Sequence, residues 1–262
     1  MKTQKIGLKI YRVNGDNVRN FKITIEYDGS RYCGWQRQNN DPTIQGEIEK
    51  ALMTMAGQKI SLIGSGRTDA GVHAYAQVAN FRCDTKLGPQ DLMGGLNGLT
   101  PDDIVVTNCE EVDDAFHARY DVKSKKYIYK ILNRSNPAAI YRQYAWHIRK
   151  ELDLEAMRSA INHFIGRHDF KAFEATGSQR SHTTRCVLKA SLIEEEDGYL
   201  VFEIEADGFL RFMVRNIVGT LVEVGLGKIT PVDFKRIMDS QERSQAGATA
   251  PARGLFLKQV NY

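Results

Sequence analysis

The first half of the chain alternates between strand-like and helix-like patterns of apolar residues. At 21–27, apolar and polar residues alternate one by one before an Asp-Gly pair, which predicts a strand that ends in a turn. From Thr43 the apolar residues recur at helical spacing, which predicts a helix that ends at Gly57. We also expect strands at 60–63, 78–82 and 103–107, and a loop at 88–101.

The second half uses the same kinds of element. An apolar stripe from Leu154 to Ile165 predicts a helix with Asp153 as its N-cap. A second helix is expected at 210–224, where it ends at Gly225. Strands are expected at 127–132, 200–206 and 255–260.

Because the two halves resemble each other in this way, we expect an α+β fold with two similar mixed α/β domains. The boundary falls between His117 and Lys126, which gives an N-terminal domain at 21–120 and a C-terminal domain at 121–262. Residues 1–20 are expected to form an N-terminal extension.

Composition narrows the class of protein. The chain has 262 residues, 42% of them hydrophobic, which is enough for one large core or two small ones. It has no apolar run typical of a signal peptide, and no stretch approaches the roughly 18 apolar residues of a membrane span. Its four cysteines lie far apart, without a CxxC pair or a histidine at a zinc-ligand spacing. We therefore expect a cytoplasmic protein with free thiols and no metal site.

The net charge is only +4, but the charges are unevenly distributed. From His117 to Lys150 there are nine Lys or Arg residues and one acidic residue, whereas 194–207 holds seven acidic residues and no basic one. Such asymmetry is typical of a basic face that binds a polyanion. A solvated charged surface gives the same pattern, and charge alone does not separate the two.

The segment with the strongest chemical signal is GSGRTDAGVHA, from Gly64 to Ala74. Its glycines can hold Arg67 and Asp69 close to a ligand, although their spacing does not fit the GxGxxG phosphate loop. A nearby Arg67 would keep the Asp69 carboxylate ionised, as a nucleophile or a base requires. The other interpretation is an ordinary Asx-turn, which is common in glycine-rich loops.

This loop resembles the signature GRTDAGVHA of the tRNA pseudouridine synthase A family and matches it without a gap. Other stretches that are similar to the family follow in the expected order between Phe21 and Tyr262. They are Tyr27-Asp28-Gly29, Gly34-Trp35-Gln36, Leu96-Asn97, Phe116-His117-Ala118-Arg119, Lys126-Tyr127, His168-Asp169-Phe170, Met213-Val214-Arg215-Asn216-Ile217-Val218-Gly219 and Thr249-Ala250-Pro251.

The resemblance implies a fold, a reaction and a set of site residues. The fold is the pseudouridine synthase fold, with largely antiparallel sheets and helices flanking an RNA-binding cleft. Asp69 is the catalytic carboxylate, Arg67 and Arg215 support it, Arg215 pairs with it, and Tyr127 is the active-site tyrosine. The implied reaction isomerises uridine to pseudouridine, without a cofactor, at positions thirty-eight to forty of the anticodon arm of tRNA. The implied assembly is a homodimer.

From the residues alone, Tyr127 could equally be an ordinary strand aromatic, and Arg211 and Arg215 a solvated pair on a helix. If the chain does bind RNA, we expect its basic residues to contact phosphates in a salt-sensitive way, and His73 to be structural or to contact RNA. The expected phosphate contacts are Arg119, Lys123, Lys125, Lys126, Lys130, Arg180, His182, Arg185 and Arg211.

Two other functions remain open at this point. One is an RNA-binding module that has lost its chemistry, against which the joint presence of Arg67, Asp69, Tyr127 and Arg215 argues. The other is a metal-dependent phosphodiesterase that uses Asp28, Asp69 and Asp102, which would require divalent ions.

Overall fold

The computed structural model describes residues 18–177 and 182–262. Within them, five α-helices and ten strands form a mixed α/β fold. The helices are α1 (Ile44–Ala56), α2 (Pro89–Leu99), α3 (Leu154–Ile161), α4 (Met213–Gly225) and α5 (Pro231–Ser240). The strands are β1 (Val18–Tyr27), β2 (Ile63–Gly64), β3 (His73–Asp84), β4 (Ile104–Val112), β5 (Ser124–Asn133), β6 (Trp146–Ile148), β7 (Gly166–Asp169), β8 (Thr184–Glu194), β9 (Tyr199–Ala206) and β10 (Leu255–Asn261).

The described strands form one continuous sheet in the order β4-β1-β3-β10-β5-β9-β8-β7, with β2 paired to β3 and β6 to β5. Its neighbouring strands are antiparallel, except that β10 runs parallel to β3 and β6 runs parallel to β5. Strand β10 lies between the two halves, because Phe256 and Leu257 pair with His73 and Ala74 on one side and β5 borders the other.

The helices and the main core lie on one face of this sheet. On β5, Tyr127, Tyr129 and Ile131 belong to the main core, whereas Ile128 faces a small cluster on the opposite side. This alternation follows from the two-residue period of a strand. Helices α1 and α2 contact each other in the first half, and α3, α4 and α5 do so in the second.

Several predicted elements are confirmed. Strand β1 covers 21–27, and helix α1 begins after Thr43, whose hydroxyl accepts from Gly46 N, and ends at Gly57 in the left-handed conformation. Asp153 caps α3 as expected. The mixed α/β fold with a largely antiparallel sheet is also confirmed.

The division into domains at 21–120 and 121–262 stays a prediction. Residues 18–20, assigned to the extension, belong to β1, and 1–17 lie outside the described residues.

Other predictions are wrong. The expected loop at 88–101 contains α2, whose buried Leu92 and Leu96 lie among three glycines that obscured the helical period. Gly95 lies against the side chain of Met55, where a Cβ atom would collide. The strand expected at 60–63 is limited to β2, and the helix expected from Leu154 to Ile165 ends at Ile161. Strand β8 and helix α5 were not predicted.

Candidate active site

Asp69 lies in the connection between β2 and β3, and we call residues 65–72 the Asp69 loop. Main-chain hydrogen bonds fix this loop: Trp35 N donates to Thr68 O at 3.1 Å, and Val72 N donates to Asp69 O at 3.1 Å. Gly34 makes the close approach possible, since its φ is +94° and a Cβ atom there would lie 2.5 Å from Thr68 O. The position of Asp69 is therefore set by backbone geometry.

The carboxylate of Asp69 faces a guanidinium from the second half of the chain. Arg215 Nη1 lies 3.6 Å from Asp69 Oδ2, and the two side chains are 15% and 26% exposed. Burial raises the pKa of the Asp69 carboxyl above its ordinary value, while the positive charges of Arg215 and Arg211 oppose that rise. A half-buried carboxylate next to a cation suits a group that attacks or accepts a proton.

Arg215 is held from two sides. Its Nε donates to Ala250 O at 2.8 Å, and Ala250 N donates back to Arg215 O at 3.1 Å. The guanidiniums of Arg215 and Arg211 lie over the ring of Phe212, 4.8 Å and 4.9 Å from its centroid. Phe212 caps α4 with φ +63°, a left-handed conformation that is strained for an aromatic residue. Both guanidiniums therefore share the ring of Phe212.

Tyr127 lies on β5, with 8% of its surface exposed. The ring of Phe209 meets its ring edge-on, with centroids 4.9 Å apart. Burial, with smaller contributions from Tyr27 and Asp69, raises the pKa of the Tyr127 phenol. Tyr127 therefore keeps its proton, so it can stack on a base or donate a hydrogen bond but cannot serve as a general base.

Arg67 is exposed, and its Nε donates to Gln36 Oε1 at 2.9 Å. The charges that act on the Asp69 carboxylate in the structure are those of Arg215 and Arg211. The supporting role of Arg67 stays a prediction.

Lys125 is partly buried against the Asp69 loop. Its Nζ donates to Ser65 O at 2.6 Å, and a Cβ atom on Gly66 would collide with it. Burial lowers the pKa of Lys125 to about 8, and the nearby charge of Arg119 adds to this effect. The sequence predicted a phosphate contact here, but the structure ties this ammonium to the loop.

The next residue, Lys126, points to the opposite face of the sheet. Its Nζ lies 2.8 Å from Glu203 Oε2 on β9, and Ser124 Oγ donates to Glu205 Oε1 at 2.6 Å. The basic and acidic segments noted in the sequence thus include neighbouring strands that partly neutralise each other. The expected basic face is narrower than the sequence suggested.

The remaining predicted phosphate contacts are spread over the surface. Arg119, Lys123 and Arg211 are exposed, and Arg185 Nη1 donates to Thr184 O at 2.6 Å. Arg180 lies outside the described residues.

His73 does not belong to the site of Asp69. It is 1% exposed, its Nδ1 lies 3.0 Å from Asp28 Oδ1, and its ring stacks on Phe256 with centroids 4.6 Å apart. Burial lowers the pKa of His73. These contacts on the opposite face of the sheet give His73 a structural role.

The sequence itself matches known proteins. A family model described as tRNA pseudouridine synthase matches residues 23–121 and 160–262. The chain belongs to the tRNA pseudouridine synthase family. The tRNA pseudouridine synthase A of Acetivibrio thermocellus is 47% identical over 245 residues, covering 94% of this chain and 100% of that protein. The protein of the same name from Clostridium acetobutylicum is 46% identical over the same shares of both chains.

A second relative and a solved structure complete these comparisons. The tRNA pseudouridine synthase A 2 of Bacillus cereus is 44% identical over 246 residues, covering 94% of this chain and 100% of that protein. A chain in the crystal structure of a Cbf5-Nop10-Gar1 complex matches with a TM-score of 0.35 and 11% identity, covering 90% of this chain and 57% of that one. That score is too low to carry an argument.

In this member of the tRNA pseudouridine synthase family, sequence reasoning missed the groups that hold the central ion pair. Phe212 and Phe209 gave no signal, since a positive φ and an edge-on ring contact leave no local pattern. Ala250 was visible within Thr249-Ala250-Pro251, but its role comes from its main chain.

Proposed function

We propose that this chain converts uridine to pseudouridine in tRNA, with Asp69 as the essential catalytic carboxylate. The observation that carries the proposal is the ion pair of Asp69 with Arg215, which lies near Tyr127 in a chain of this family. The half-buried carboxylate supplies the reactive group, and the aromatic ring offers a surface for a base removed from its stack.

The reaction breaks the bond between uracil N1 and ribose C1′ and joins C5 of the same base to C1′, while the C5 hydrogen leaves as a proton and N1 takes up a proton. Atoms and electrons balance within the nucleotide, so no cofactor is needed. Asp69 can attack C1′, or it can abstract a ribose proton to give a glycal. Arg215 keeps Asp69 ionised for either step.

The proposal extends to uridines thirty-eight to forty of the anticodon arm, to a homodimer and to a cytoplasmic location. Loop and stem-end uridines are favourable because extruding a base there costs less than within a continuous helix. The described residues contain no helix long and apolar enough to cross a bilayer.

The phosphodiesterase alternative has less support. Asp28 accepts a hydrogen bond from Tyr144 Oη at 2.7 Å and lies beside His73, whereas Asp69 faces Arg215. Residues 18–177 and 182–262 contain no cluster of three His, Cys, Asp or Glu side chains arranged to hold a metal ion.

The first experiment is tritium release from tRNA that carries uridine labelled at C5, in the presence of a chelator. We expect release with the native protein and none with Asp69→Asn. Cleavage of the tRNA that appears only with added divalent ions would support the phosphodiesterase. Binding of tRNA by the native protein without tritium release would support a silent binding module.

The finer points need separate measurements. Mapping of pseudouridine in tRNAs with single uridine-to-cytidine changes at positions thirty-eight, thirty-nine and forty tests the target sites. Sedimentation equilibrium tests the dimer, and a single monomeric species with full activity would contradict it.

A further inference from the structure

A cavity of about 540 Å³ lies beside Phe212, and neither Asp69 nor Arg215 is among its lining residues. It is bordered by Arg211 and Phe212, which directly precede α4, and by the segment at 243–249. The polar side chains that line it are Thr176, Arg211, Arg243, Ser244 and Thr249. All of them are hydrogen-bond donors, and none carries negative charge.

Arg243 is held in place by neutral groups. Its Nη2 donates to Asn216 Oδ1 at 3.0 Å and to Thr249 Oγ1 at 3.1 Å, and its Nη1 donates to Ala246 O at 3.1 Å. Partial burial lowers the pKa of its guanidinium. A partly buried cation normally has an anionic partner, because desolvation is costly. Within the described part of the chain, Arg243 has no carboxylate at ion-pair distance.

Arg211 provides the second positive charge. It is exposed, and its guanidinium lies over the ring of Phe212. Among residues 18–177 and 182–262 it forms no ion pair either, although its charge is felt at Asp69.

Two acidic residues adjoin residues that line the cavity. Glu174 accepts from Lys171 Nζ at 3.3 Å, and its Oε1 has no hydrogen-bond partner among the described residues. Glu223 lies against Gly247 without an ion pair to Arg211 or Arg243. Neither arginine therefore has an ion-pair partner among the described residues.

We propose that this cavity binds one phosphodiester of the tRNA backbone next to the reacting uridine, with Arg211 and Arg243 as its charged ligands. Guanidinium groups match phosphate oxygens in geometry, and the hydroxyls of Ser244 and Thr249 add neutral donors. This inference rests on the proposed function. The two arginines that lie over the ring of Phe212 then have different tasks: Arg215 orients Asp69, and Arg211 fixes the strand that carries the substrate.

The test asks whether removing one arginine changes the effect of neutralising one phosphate on RNA binding. Anticodon-arm RNAs carry an uncharged methylphosphonate at one linkage at a time around the target uridine, and their dissociation constants are measured by filter binding. We expect one linkage at which the modification weakens binding to the native protein about tenfold. With Arg211→Gln, the same modification should weaken binding clearly less than it does in the native protein, because one of the two charged contacts is already lost.

Controls separate this result from misfolding and from failure of the reaction itself. Arg236→Gln removes an exposed arginine of α5 that pairs with Asp233, and it should retain the full methylphosphonate effect. Arg243→Gln needs a melting curve beside it, since it also removes bonds to Asn216. Arg211→Gln makes the test independent of that variant.

At saturating unmodified substrate, Arg211→Gln should raise KM by a larger factor than it lowers kcat, although the charge of Arg211 also acts on Asp69. If every linkage affects native and Arg211→Gln proteins equally, the phosphate site is wrong. If the native protein releases no tritium, the proposed function fails, while the binding measurements still decide the phosphate site.

Discussion

The two partners of the central ion pair are held in different ways. Asp69 lies in a loop fixed by neutral main-chain hydrogen bonds, with Gly34 allowing the close approach. Arg215 is positioned through its side chain, by Ala250 O and by the strained Phe212. The carboxylate side is therefore rigid without the ion pair, whereas the guanidinium side depends on side-chain contacts. Substitutions on the two sides should differ in what they change.

The largest effect should come from the carboxylate itself. Asp69→Asn keeps the shape of the side chain but removes the reactive oxygen, and we expect tritium release to fall by at least about four orders of magnitude. Stability should not decrease, because the burial that raises the pKa of Asp69 also opposes its charge. A thermal melt with a large loss of stability would show that the carboxylate also holds the loop.

On the other side of the pair, Arg215→Met should lower kcat by roughly 10- to 100-fold. Loss of the cation also raises the pKa of Asp69 further, so the acidic limb of the pH–rate profile should move to higher pH. Arg215→Lys, which retains a charge without the full guanidinium geometry, should shift the limb less. An unchanged limb in Arg215→Met would contradict the role assigned to this pair.

Substitutions of Tyr127 test whether its ring or its hydroxyl contributes to activity. Tyr127→Leu should lower kcat/KM by roughly 5- to 150-fold, since stacking on a base is worth about 1–3 kcal/mol. Tyr127→Phe keeps the ring and should lose much less. Equal losses in both variants would assign the function to the hydroxyl.

Substitutions of Phe212 test how much the strained backbone of this residue lowers the stability of the protein. Phe212→Gly relieves the strain of the left-handed backbone conformation but removes the ring over which both guanidiniums lie. We therefore expect activity to fall roughly fivefold with little loss of stability. Phe212→Leu retains the backbone strain without the ring and should be less stable than Phe212→Gly. The reverse order of melting temperatures would show that the conformation is not strained.

Substitution of Lys125, which contacts the Asp69 loop, should have the smallest effect on activity. Its pKa is about 8 in the folded protein, against an ordinary lysine value of 10.5, so the unfolded chain binds more protons between these values. Stability contributed through this group should rise by roughly 1–3 kcal/mol from about pH 8 to about pH 10.5. Urea unfolding of Lys125→Met should lack this rise, whereas Lys126→Met, whose lysine pairs with Glu203, should retain it.

The sequence predicted the pair of Asp69 and Arg215, because two family motifs contain these residues. Helix α1 was recognisable by its period and its caps. Helix α2 was missed because glycines interrupt its apolar stripe. The main-chain contact of Lys125 was not predicted, because a basic segment does not reveal which lysine turns towards a loop. The hydrogen bond from Arg215 to Ala250 O joins residues that are far apart in sequence, so no local pattern predicts it.

The insertion of β10 between β3 and β5 has a consequence for synthesis on the ribosome. The first half of the sheet emerges early, and the edge of β3 stays unpaired until Phe256 and Leu257 have been made. A partly made chain thus carries Asp69 without Arg215 and without the strand that joins the two halves. Such an incomplete copy lacks the ion pair, so we expect full activity only when nearly all of the described chain has left the exit tunnel.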